Sequence, residues 1–314
     1  MQKNKLPIEF ENQIRLGDCI EGIRRMPNES VDLIISDPPY WKVVGHSWDY
    51  QWRTREDYLE WSAKWLEQAA RVLRKGGTLY LFGYFRTLAY MMPILDSLGL
   101  ELKQQIMLDK GMRSVSGRAT KNYKMFPNTT ESMLLLVKDS KPFIKQLLKQ
   151  HQKRIGISAK EINECLGVKS NGGGMWSIYT GENICEQTPT EELWAKLQEI
   201  LEFSYPYEMI SQTFNAEMGL TDVWTDIDFY EKNRFHPTQK PVKLISRLIR
   251  ASSNPGNVVL DPFMGSGTTA VACAALDRVY TGFEVDKEYY EKSLHRLSDI
   301  DNNLFQYAKA SAIA

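Results

Sequence analysis

The first half of the chain alternates between short apolar runs and helical stripes of apolar residues. The run VDLIIS at 31–36 has the length of a buried strand, and residues 56–74 repeat apolar positions at helical spacing. The pattern predicts a short helix before Pro27, helices at 56–74 and 86–98, and strands at 13–16, 31–36, 78–83, 101–107 and 131–138. KGG at 75–77 is expected to end the second helix. Strands that alternate with helices predict an α/β protein with a doubly wound, mostly parallel sheet.

The alternation stops after Pro142 and resumes near residue 233. Residues 143–232 read as mainly helical with no clear strand, whereas 233–314 again alternate between helix and strand. We therefore predict one domain formed by residues 1–142 and 233–314, with 143–232 as a helical insertion. Inside the insertion, SAKEINECLG, a turn at Gly167 and the segment 174–179 have the outline of a helix-turn-helix. A plain structural turn fits the same residues.

The strand at 31–36 ends in DPPY, residues 37–40. Two prolines restrict the backbone, so Asp37 and Tyr40 are held by a stiff turn at the carboxyl end of a strand, where open α/β sheets bind ligands. An amino nitrogen on an aromatic base is a weak nucleophile, and its methylation needs hydrogen-bond acceptors and an aromatic face for the ring. Asp37 and the Pro38 carbonyl are candidate acceptors, and Tyr40 is the candidate stacking residue. A strand-terminating turn without chemistry is the alternative.

A second motif, DPFMGSGTT at 261–269, joins a strand to a helix. Gly265 and Gly267 allow the backbone to approach a ligand, and a helix that begins at Thr268 presents its amino end to an anion. Glu284 ends the next strand, 19 residues after Gly265, where an acid commonly accepts hydrogen bonds from ribose hydroxyls. These features predict an adenosine-containing ligand. They do not indicate NAD, because the turn precedes the last βα pair, or ATP, because no GK[ST] follows; a purely structural glycine turn stays open.

Charge is unevenly distributed along a chain whose net charge is zero. Residues 101–160 carry 13 Lys and Arg against 4 Asp and Glu, whereas residues 182–231 carry 12 acids and one base. A basic segment of this size predicts one polyanion-binding face, with solvated helix faces as the alternative. A long polar loop at 110–130 lies in the basic segment, and its candidate phosphate-binding residues are Arg113, Arg118, Lys121 and Lys124.

Composition excludes several classes of protein. With 43% hydrophobic and 25% charged residues, the chain has the composition of a globular protein rather than a disordered one. No signal-peptide pattern and no apolar run of about 18 residues are present, so we predict a cytoplasmic protein without membrane spans. The four cysteines are dispersed, without CxxC or a neighbouring histidine, so no metal site is predicted.

The order of the motifs resembles one known family. DPPY, a long variable middle, HPTQKP at 236–241, DPFMGSG and then GFE at 282–284 follow the order found in β-class S-adenosylmethionine-dependent DNA amino-methyltransferases. The resemblance covers residues 14–138 and 233–297 and is loose over the insertion. It implies the fold of those methyltransferases, S-adenosylmethionine as cofactor, and double-stranded DNA as substrate, with direct methyl transfer to a flipped base. It also makes the insertion the candidate target recognition region.

The resemblance implies roles for individual residues. The catalytic, base-binding motif matches Asp37, Pro38, Pro39 and Tyr40. The residues implied for the cofactor are Asp18, Asp37, His236, Thr238, Lys240, Asp261, Phe263, Gly265, Ser266, Gly267, Thr268 and Glu284. Phe126, in the loop KNYKMFPNTTE, is implied as a second stacking residue on the DNA side. A capping role for His236 and a core role for Phe126 stay open as alternatives.

Asp37 favours adenine as the target base, because members of the family that methylate cytosine usually carry serine at this position. We therefore predict methylation of the adenine N6 amino group, with cytosine-N4 methylation as the first alternative and an RNA or protein amino-methyltransferase as the second. A non-enzymatic DNA-binding module would leave DPPY and Glu284 without a purpose. By analogy with the family, further expectations are a homodimer, a cognate restriction endonuclease, and a bacterial or phage-encoded protein associated with the nucleoid.

Overall fold

An eight-stranded sheet forms the centre of the computed structural model, which describes residues 4–41, 51–115, 126–167, 174–230 and 239–301. The strands are Gln13–Leu16 (β1), Val31–Ser36 (β2), Leu73–Gly83 (β3), Leu100–Asp109 (β4), Thr130–Lys138 (β5), Val223–Trp224 (β6), Val258–Asp261 (β7) and Val279–Glu284 (β8). Their order is β1-β8-β7-β2-β3-β5-β4-β6. Among these strands, β5 runs antiparallel to both of its neighbours and the other pairs are parallel. The predicted mostly parallel α/β sheet is confirmed.

Helices account for most of the remaining described residues. They are Cys19–Arg24 (α1), Arg55–Val72 (α2), Phe85–Ser97 (α3), Lys141–Ile155 (α4), Ala159–Leu166 (α5), Gly174–Tyr179 (α6), Glu191–Leu201 (α7), Val242–Ser252 (α8), Thr268–Ala275 (α9) and Lys287–Asp301 (α10). Within the described ranges, no helix combines the length and the apolar composition that crossing a bilayer requires.

Helices cover both faces of the sheet. α2 begins in a capping box, in which the Thr54 hydroxyl accepts from the Asp57 N–H at 3.1 Å and the Asp57 carboxylate accepts from the Thr54 N–H at 3.0 Å. Its apolar stripe, which includes Trp65, packs on one face of the sheet, and α8 buries Leu248 on the other. β2 is buried along its whole length, which explains its run of three apolar residues, Leu33, Ile34 and Ile35.

Two elements differ from the prediction. α2 ends at Val72 and β3 begins at the next residue, so KGG lies inside a strand instead of ending a helix. Gly76 has φ of +68°, and a Cβ on it would lie 2.4 Å from the Ser211 carbonyl oxygen, so the glycine permits a close contact between segments. The insertion, predicted without a strand, contributes β6, which pairs with Met107 and Leu108 of β4. Two residues are too few for periodicity to reveal a strand.

Helices α4 to α7 form a unit with a hydrophobic core of their own, in which Trp176 and Trp194 are buried. Both helices of the predicted helix-turn-helix are present as α5 and α6. Gly167 ends α5 with φ of +66°, and the Asn163 side chain accepts a hydrogen bond from the Trp176 N–H at 2.9 Å.

The helical unit contacts the sheet where β3 begins. The Arg74 guanidinium donates to the Ser211 carbonyl at 2.9 Å, and Lys75 Nζ lies 4.4 Å from the centroid of the Phe143 ring. About 25 Å of strand separates this contact from the carboxyl end of β3. After Ser211 the chain passes helix α8, where the Asn215 N–H donates to the Ala251 carbonyl at 2.7 Å. The described contacts between these helices and the sheet thus lie at the amino ends of the parallel strands, opposite to their carboxyl ends.

Arg74 and Asp32 form a buried ion pair between β3 and β2. Their side chains are 5% and 4% exposed, and Nε and Oδ1 are 3.0 Å apart. Replacing Arg74 with methionine removes the guanidinium that this buried carboxylate faces, so we expect the free energy of unfolding in urea to fall by about 3 to 5 kcal/mol. Lys64→Met removes an exposed helical pair with Glu60 and should cost less than about 0.5 kcal/mol. Equal losses in both variants would contradict the prediction.

Candidate active site

The carboxyl ends of β2, β7 and β8 converge on a cavity of about 560 Å³. β2 and β7 are neighbours, with Leu33 opposite Val259, so the turn after β2 lies beside the loop after β7. The sheet continues from β2 to β3 on one side and from β7 to β8 on the other, which makes this a topological switch point. The predicted residues that line the cavity are Asp18, Asp37, Pro38, Pro39, Tyr40, Lys240, Asp261, Phe263, Gly265, Ser266, Thr268 and Glu284.

The other predicted residues have different positions. Gly267 packs against α10, where a Cβ on it would lie 2.9 Å from the Ser293 Cβ. Arg113 is exposed in a short 3-10 helix, Met112–Val115. Phe126 is 94% exposed, which rules out the core alternative, whereas stacking on a base stays a prediction. The predicted residues outside the described ranges are His236, Thr238, Arg118, Lys121 and Lys124.

Side chains hold the DPPY turn in place. Asp37 Oδ1 accepts a hydrogen bond from the Tyr40 hydroxyl at 2.8 Å, and Asp37 Oδ2 accepts one from Lys240 Nζ at 2.7 Å. The Pro39 carbonyl accepts from the Tyr58 hydroxyl of α2 at 3.0 Å. Neither proline can donate a main-chain hydrogen bond of the kind that pairs neighbouring strands. The side-chain hydrogen bonds fix the turn instead. The Asp37 carboxylate is thereby oriented before a substrate arrives.

Tyr40 is anchored through its hydroxyl and through its ring. A Glu131 carboxylate oxygen is a second acceptor for the single proton of this hydroxyl, and the ring meets that of Tyr84 edge to face, with centroids 5.4 Å apart. Burial and the carboxylates of Asp37 and Glu131 raise the pKa of Tyr40 well above its ordinary value. The hydroxyl therefore stays protonated and remains a donor. A half-buried ring held in one orientation is suited to stack on a planar base.

Glu131 and Lys110 join Lys240 in a charged cluster beside Asp37 that was not predicted from the sequence. Glu131 is 1% exposed at the start of β5, and its carboxylate lies 2.6 Å from Lys110 Nζ and 3.0 Å from Lys240 Nζ. Burial favours a raised pKa for Glu131, but the ammonium groups of Lys240 and Lys110 outweigh burial and lower the pKa below its ordinary value. Burial disfavours the charged form of Lys240, but Asp37 and Glu131 outweigh burial and raise its pKa. The available sequence signal was an acid directly before the apolar run SMLLLVK.

The DPFMGSGTT loop surrounds another part of the cavity. Gly265 and Gly267 have φ of +52° and +77°, a region that L side chains rarely adopt. A Cβ on Gly265 would meet the Phe263 carbonyl oxygen at 3.9 Å and nothing nearer, so a ligand can approach this backbone closely. α9 begins at Thr268, directly after the glycines, and the unpaired N–H groups of its first turn favour an anionic group.

Arg296 of α10 supports this loop and was also missed. Its Nη1 donates to the Thr268 hydroxyl at 2.9 Å and to the Ser266 carbonyl at 3.1 Å. One side chain from the last helix therefore holds two residues of the loop. Nothing in the local sequence of α10 distinguishes this arginine from a solvated one, because the contact depends on how α10 packs beside α9.

Glu284 lies at the end of β8 with both carboxylate oxygens engaged by the backbone. Oε2 accepts from the Gly265 N–H at 2.8 Å, and Oε1 accepts from the Asp286 N–H at 2.8 Å. Each carboxylate oxygen can accept a further hydrogen bond, so together they can receive the two hydroxyls of a ribose. Burial raises the pKa of Glu284.

The cavity wall also contains aromatic rings. Trp61 and Phe263 both line it, with ring centroids 5.7 Å apart, and Phe263 meets Trp65 edge to face at 5.2 Å. These rings provide flat apolar surface for a purine. Trp61 was not predicted, because on its helix it reads as one more residue of the apolar stripe.

Asp18, implied as a cofactor-binding residue, caps helix α1. Its Oδ1 accepts from the Ile20 N–H at 2.8 Å and from the Glu21 N–H at 3.2 Å. The capping bonds use one carboxylate oxygen and orient the side chain at the cavity wall. A contact from Asp18 to a ligand amino group would use Oδ2.

Asp261 is expected to make stability depend on pH. Its oxygens accept from the Thr269 hydroxyl at 2.5 Å and from the Phe263 N–H at 2.9 Å, yet burial dominates and raises the pKa of Asp261 from 3.8 to about 7. The folded protein holds this proton more tightly than the unfolded chain. The contribution to stability is therefore full below about pH 4 and is lost as pH rises through about 7.

Asp261→Asn removes that titration. We expect its free energy of unfolding, measured in urea without cofactor, to rise relative to wild type as pH is raised from about 5 to about 8. The amide can still accept from the Phe263 N–H and donate to the Thr269 hydroxyl, which makes it a close replacement for the protonated acid. A difference between the two proteins that does not change with pH would contradict the prediction.

Comparison with known proteins gives consistent matches. The family model N6_N4_Mtase, described as DNA methylase, matches residues 31–295. The chain is similar to the type II methyltransferase M.HpaI of Haemophilus parainfluenzae, at 28% identity over 292 residues that cover 92% of this chain and 74% of that protein. It is also similar to the DNA adenine methyltransferase YhdJ of Escherichia coli (strain K12), at 28% identity over 307 residues that cover 93% of this chain and 85% of that protein.

Solved structures share the fold. The M1.HpyAVI–SAM complex has a TM-score of 0.53 at 22% identity and covers 91% of this chain and 98% of its own. TTHA0409 of Thermus thermophilus, complexed with S-adenosyl-L-methionine, has a TM-score of 0.54 at 22% identity, with coverage of 91% and 93%. The cytosine-N4-specific PvuII DNA methyltransferase has a TM-score of 0.54 at 15% identity, with coverage of 96% and 95%. The fold alone therefore does not select the target base.

Proposed function

This chain belongs to the DNA methylase family, and on that premise we propose that it transfers a methyl group from S-adenosylmethionine to the N6 amino group of an adenine in double-stranded DNA. The observation that carries the proposal is one cavity lined both by Asp37 and Tyr40 and by the glycine loop with Glu284. An acceptor for an amino group is thus combined with a site for an adenosine-containing cofactor. Aspartate at the first position of the catalytic turn and the similarity to YhdJ support adenine over cytosine.

Residues around the glycine loop fit this cofactor. Glu284 offers two oxygens to ribose hydroxyls, Trp61 and Phe263 offer aromatic surface to the adenine ring, and the amino end of α9 suits the methionine carboxylate. The cavity volume of about 560 Å³ falls within the range of about 300 to 1,000 Å³ for small-molecule sites. When bound, S-adenosylmethionine supplies the electrophilic methyl group.

Asp37 and Tyr40 receive the target base. Extrusion of a base from the duplex has a cost, which stacking on Tyr40 and hydrogen bonds to Asp37 offset. Asp37 and the Pro38 carbonyl accept the two amino hydrogens, so the nitrogen lone pair is directed at the cofactor side of the cavity. The nitrogen is itself the nucleophile, and no bond forms between enzyme and base. Positioning of this kind can contribute about 7 to 11 kcal/mol.

The basic loop and part of the insertion complete the DNA side. Arg113, with Arg118, Lys121 and Lys124, supplies contacts to DNA phosphates. Phe229 and Tyr230 line the cavity, so the end of the insertion, rather than helices α4 to α7, is its part nearest to the flipped base. Sequence reading by α5 and α6 would act at a distance from the cavity. A homodimer, a cognate endonuclease and a cytoplasmic, nucleoid-associated location are consistent with this function.

Long-read sequencing of DNA from a methylation-deficient host tests the function. Cells that express the chain should carry N6-methyladenine in one sequence context, and cells with the empty vector should carry none. N4-methylcytosine in that context would replace the adenine assignment with the cytosine alternative. No modified base, from folded protein that binds S-adenosylmethionine, would favour an RNA or protein substrate.

A further inference from the structure

Asp37 is engaged on both oxygens before any base is present. The Tyr40 hydroxyl donates to Oδ1 at 2.8 Å, and Lys240 Nζ lies 2.7 Å from Oδ2. Each oxygen can accept a further hydrogen bond, but the donors already present weaken the carboxylate as an acceptor and limit the directions from which a target amino group can approach it. Lys240 is the stronger competitor, because its ammonium is cationic and its side chain is only 10% exposed.

Glu131 gives both competitors a second acceptor. Its carboxylate can accept the single proton of the Tyr40 hydroxyl in place of Asp37, and it lies 3.0 Å from Lys240 Nζ, so each donor can leave Asp37 and keep a bond. Lys110, 2.6 Å away, pairs with the other oxygen of Glu131 and balances its charge. Burying a carboxylate that is 1% exposed has a high desolvation cost, and the two ammonium groups offset that cost.

We infer that Glu131 is a positioning residue that draws the Lys240 ammonium and the Tyr40 hydroxyl away from Asp37 when the target amino group binds. The inference rests on the proposed methyl transfer to an amino group. Without Glu131, the ammonium of Lys240 would stay wholly on Asp37, where its charge weakens the carboxylate as an acceptor for the target amino group. The amino nitrogen also gains positive charge during methyl transfer, and an ammonium neutralised by Glu131 repels that charge less.

Two double variants that leave the net charge of the cluster unchanged distinguish this role from a general effect of buried charge. Glu131→Gln/Lys240→Met and Glu131→Gln/Lys110→Met each remove one anion and one cation from the same cluster. Only the first removes the competitor for Asp37. Both are compared with wild type and Glu131→Gln in steady-state transfer of tritiated methyl groups to adenine in duplex DNA, and the Kd for S-adenosylmethionine is measured by calorimetry.

We expect Glu131→Gln to lower kcat/KM for DNA by about 10- to 100-fold, with the cofactor Kd within about 2-fold of wild type. Glu131→Gln/Lys240→Met should regain about 10-fold over Glu131→Gln, whereas Glu131→Gln/Lys110→Met should regain nothing. This difference is one that a merely structural role of Glu131 would not produce.

Equal activity in the two double variants would overturn the inference, and so would a Glu131→Gln variant with the kcat/KM of wild type. If Glu131→Gln alone does not fold, the two charge-neutral variants, checked by circular dichroism, still decide the question. Wild-type protein that binds S-adenosylmethionine but methylates no adenine in DNA would instead overturn the proposed function, and the inference with it.

Discussion

Replacing Asp37 with alanine should cause the largest loss of methyl transfer to DNA of all the changes that we propose, while the protein still binds S-adenosylmethionine. Asp37 is the residue at which the turn, Tyr40 and Lys240 meet, and its carboxylate is oriented before the base arrives. Loss of a preorganised group that acts on the reacting centre lowers kcat by about 100- to 1,000-fold. The measurement is transfer of tritiated methyl groups to duplex DNA, with the cofactor Kd determined by calorimetry.

Two further variants test whether the loss of activity is specific to the acceptor oxygens of Asp37. Asp37→Asn keeps one acceptor oxygen and should retain more activity than Asp37→Ala. Asp96→Asn changes an exposed aspartate on α3 and should leave the rate unchanged. Wild-type turnover in Asp37→Ala would show that another residue receives the amino group.

Replacing Glu284 with alanine should weaken cofactor binding more than any other change at the glycine loop. The carboxylate lies beside Gly265 and can accept from two ribose hydroxyls, and a hydrogen bond to a charged group contributes about 1.5 to 3 kcal/mol. We expect the Kd for S-adenosylmethionine, measured by calorimetry, to rise by about 100-fold or more. At saturating cofactor, kcat should change much less, because Glu284 does not touch the target base.

Glu288→Ala is the matched control for this change. Glu288 is exposed on α10, where it pairs with Lys292, and its loss should leave the cofactor Kd within about 2-fold of wild type. An increase in the KM for DNA at an unchanged cofactor Kd would place Glu284 on the DNA side and contradict the assignment.

Local patterns predicted most elements of the fold. β2, α2 and β5 follow from their apolar patterns, because each buries one face or its whole length in the core. KGG was misassigned because glycines after a helical stripe usually end a helix. Here the chain enters β3 directly, and Gly76 serves the contact with Ser211. A distant segment thus overrode the local preference.

The charged residues of the site were also only partly predictable from the local sequence. Lys240 was predicted on the cofactor side from its motif, and the structure places its ammonium between Asp37 and Glu131. Glu131 and Arg296 were not predicted, because a lone acid before a strand and a lone arginine on an amphipathic helix read as ordinary surface charges. Their roles depend on which elements pack beside them.

The sequence by itself determined the candidate side chains of the catalytic turn and of the cofactor loop. DPPY, the glycine loop and Glu284 could be recognised because proline, glycine and strand ends act on the backbone over a few residues. Only the tertiary structure decided what those residues face. It places β7 beside β2, Glu131 against a tyrosine 91 residues away, and Lys240 on an aspartate 203 residues away. Such pairs follow from strand order and helix packing, which local conformational preferences do not encode.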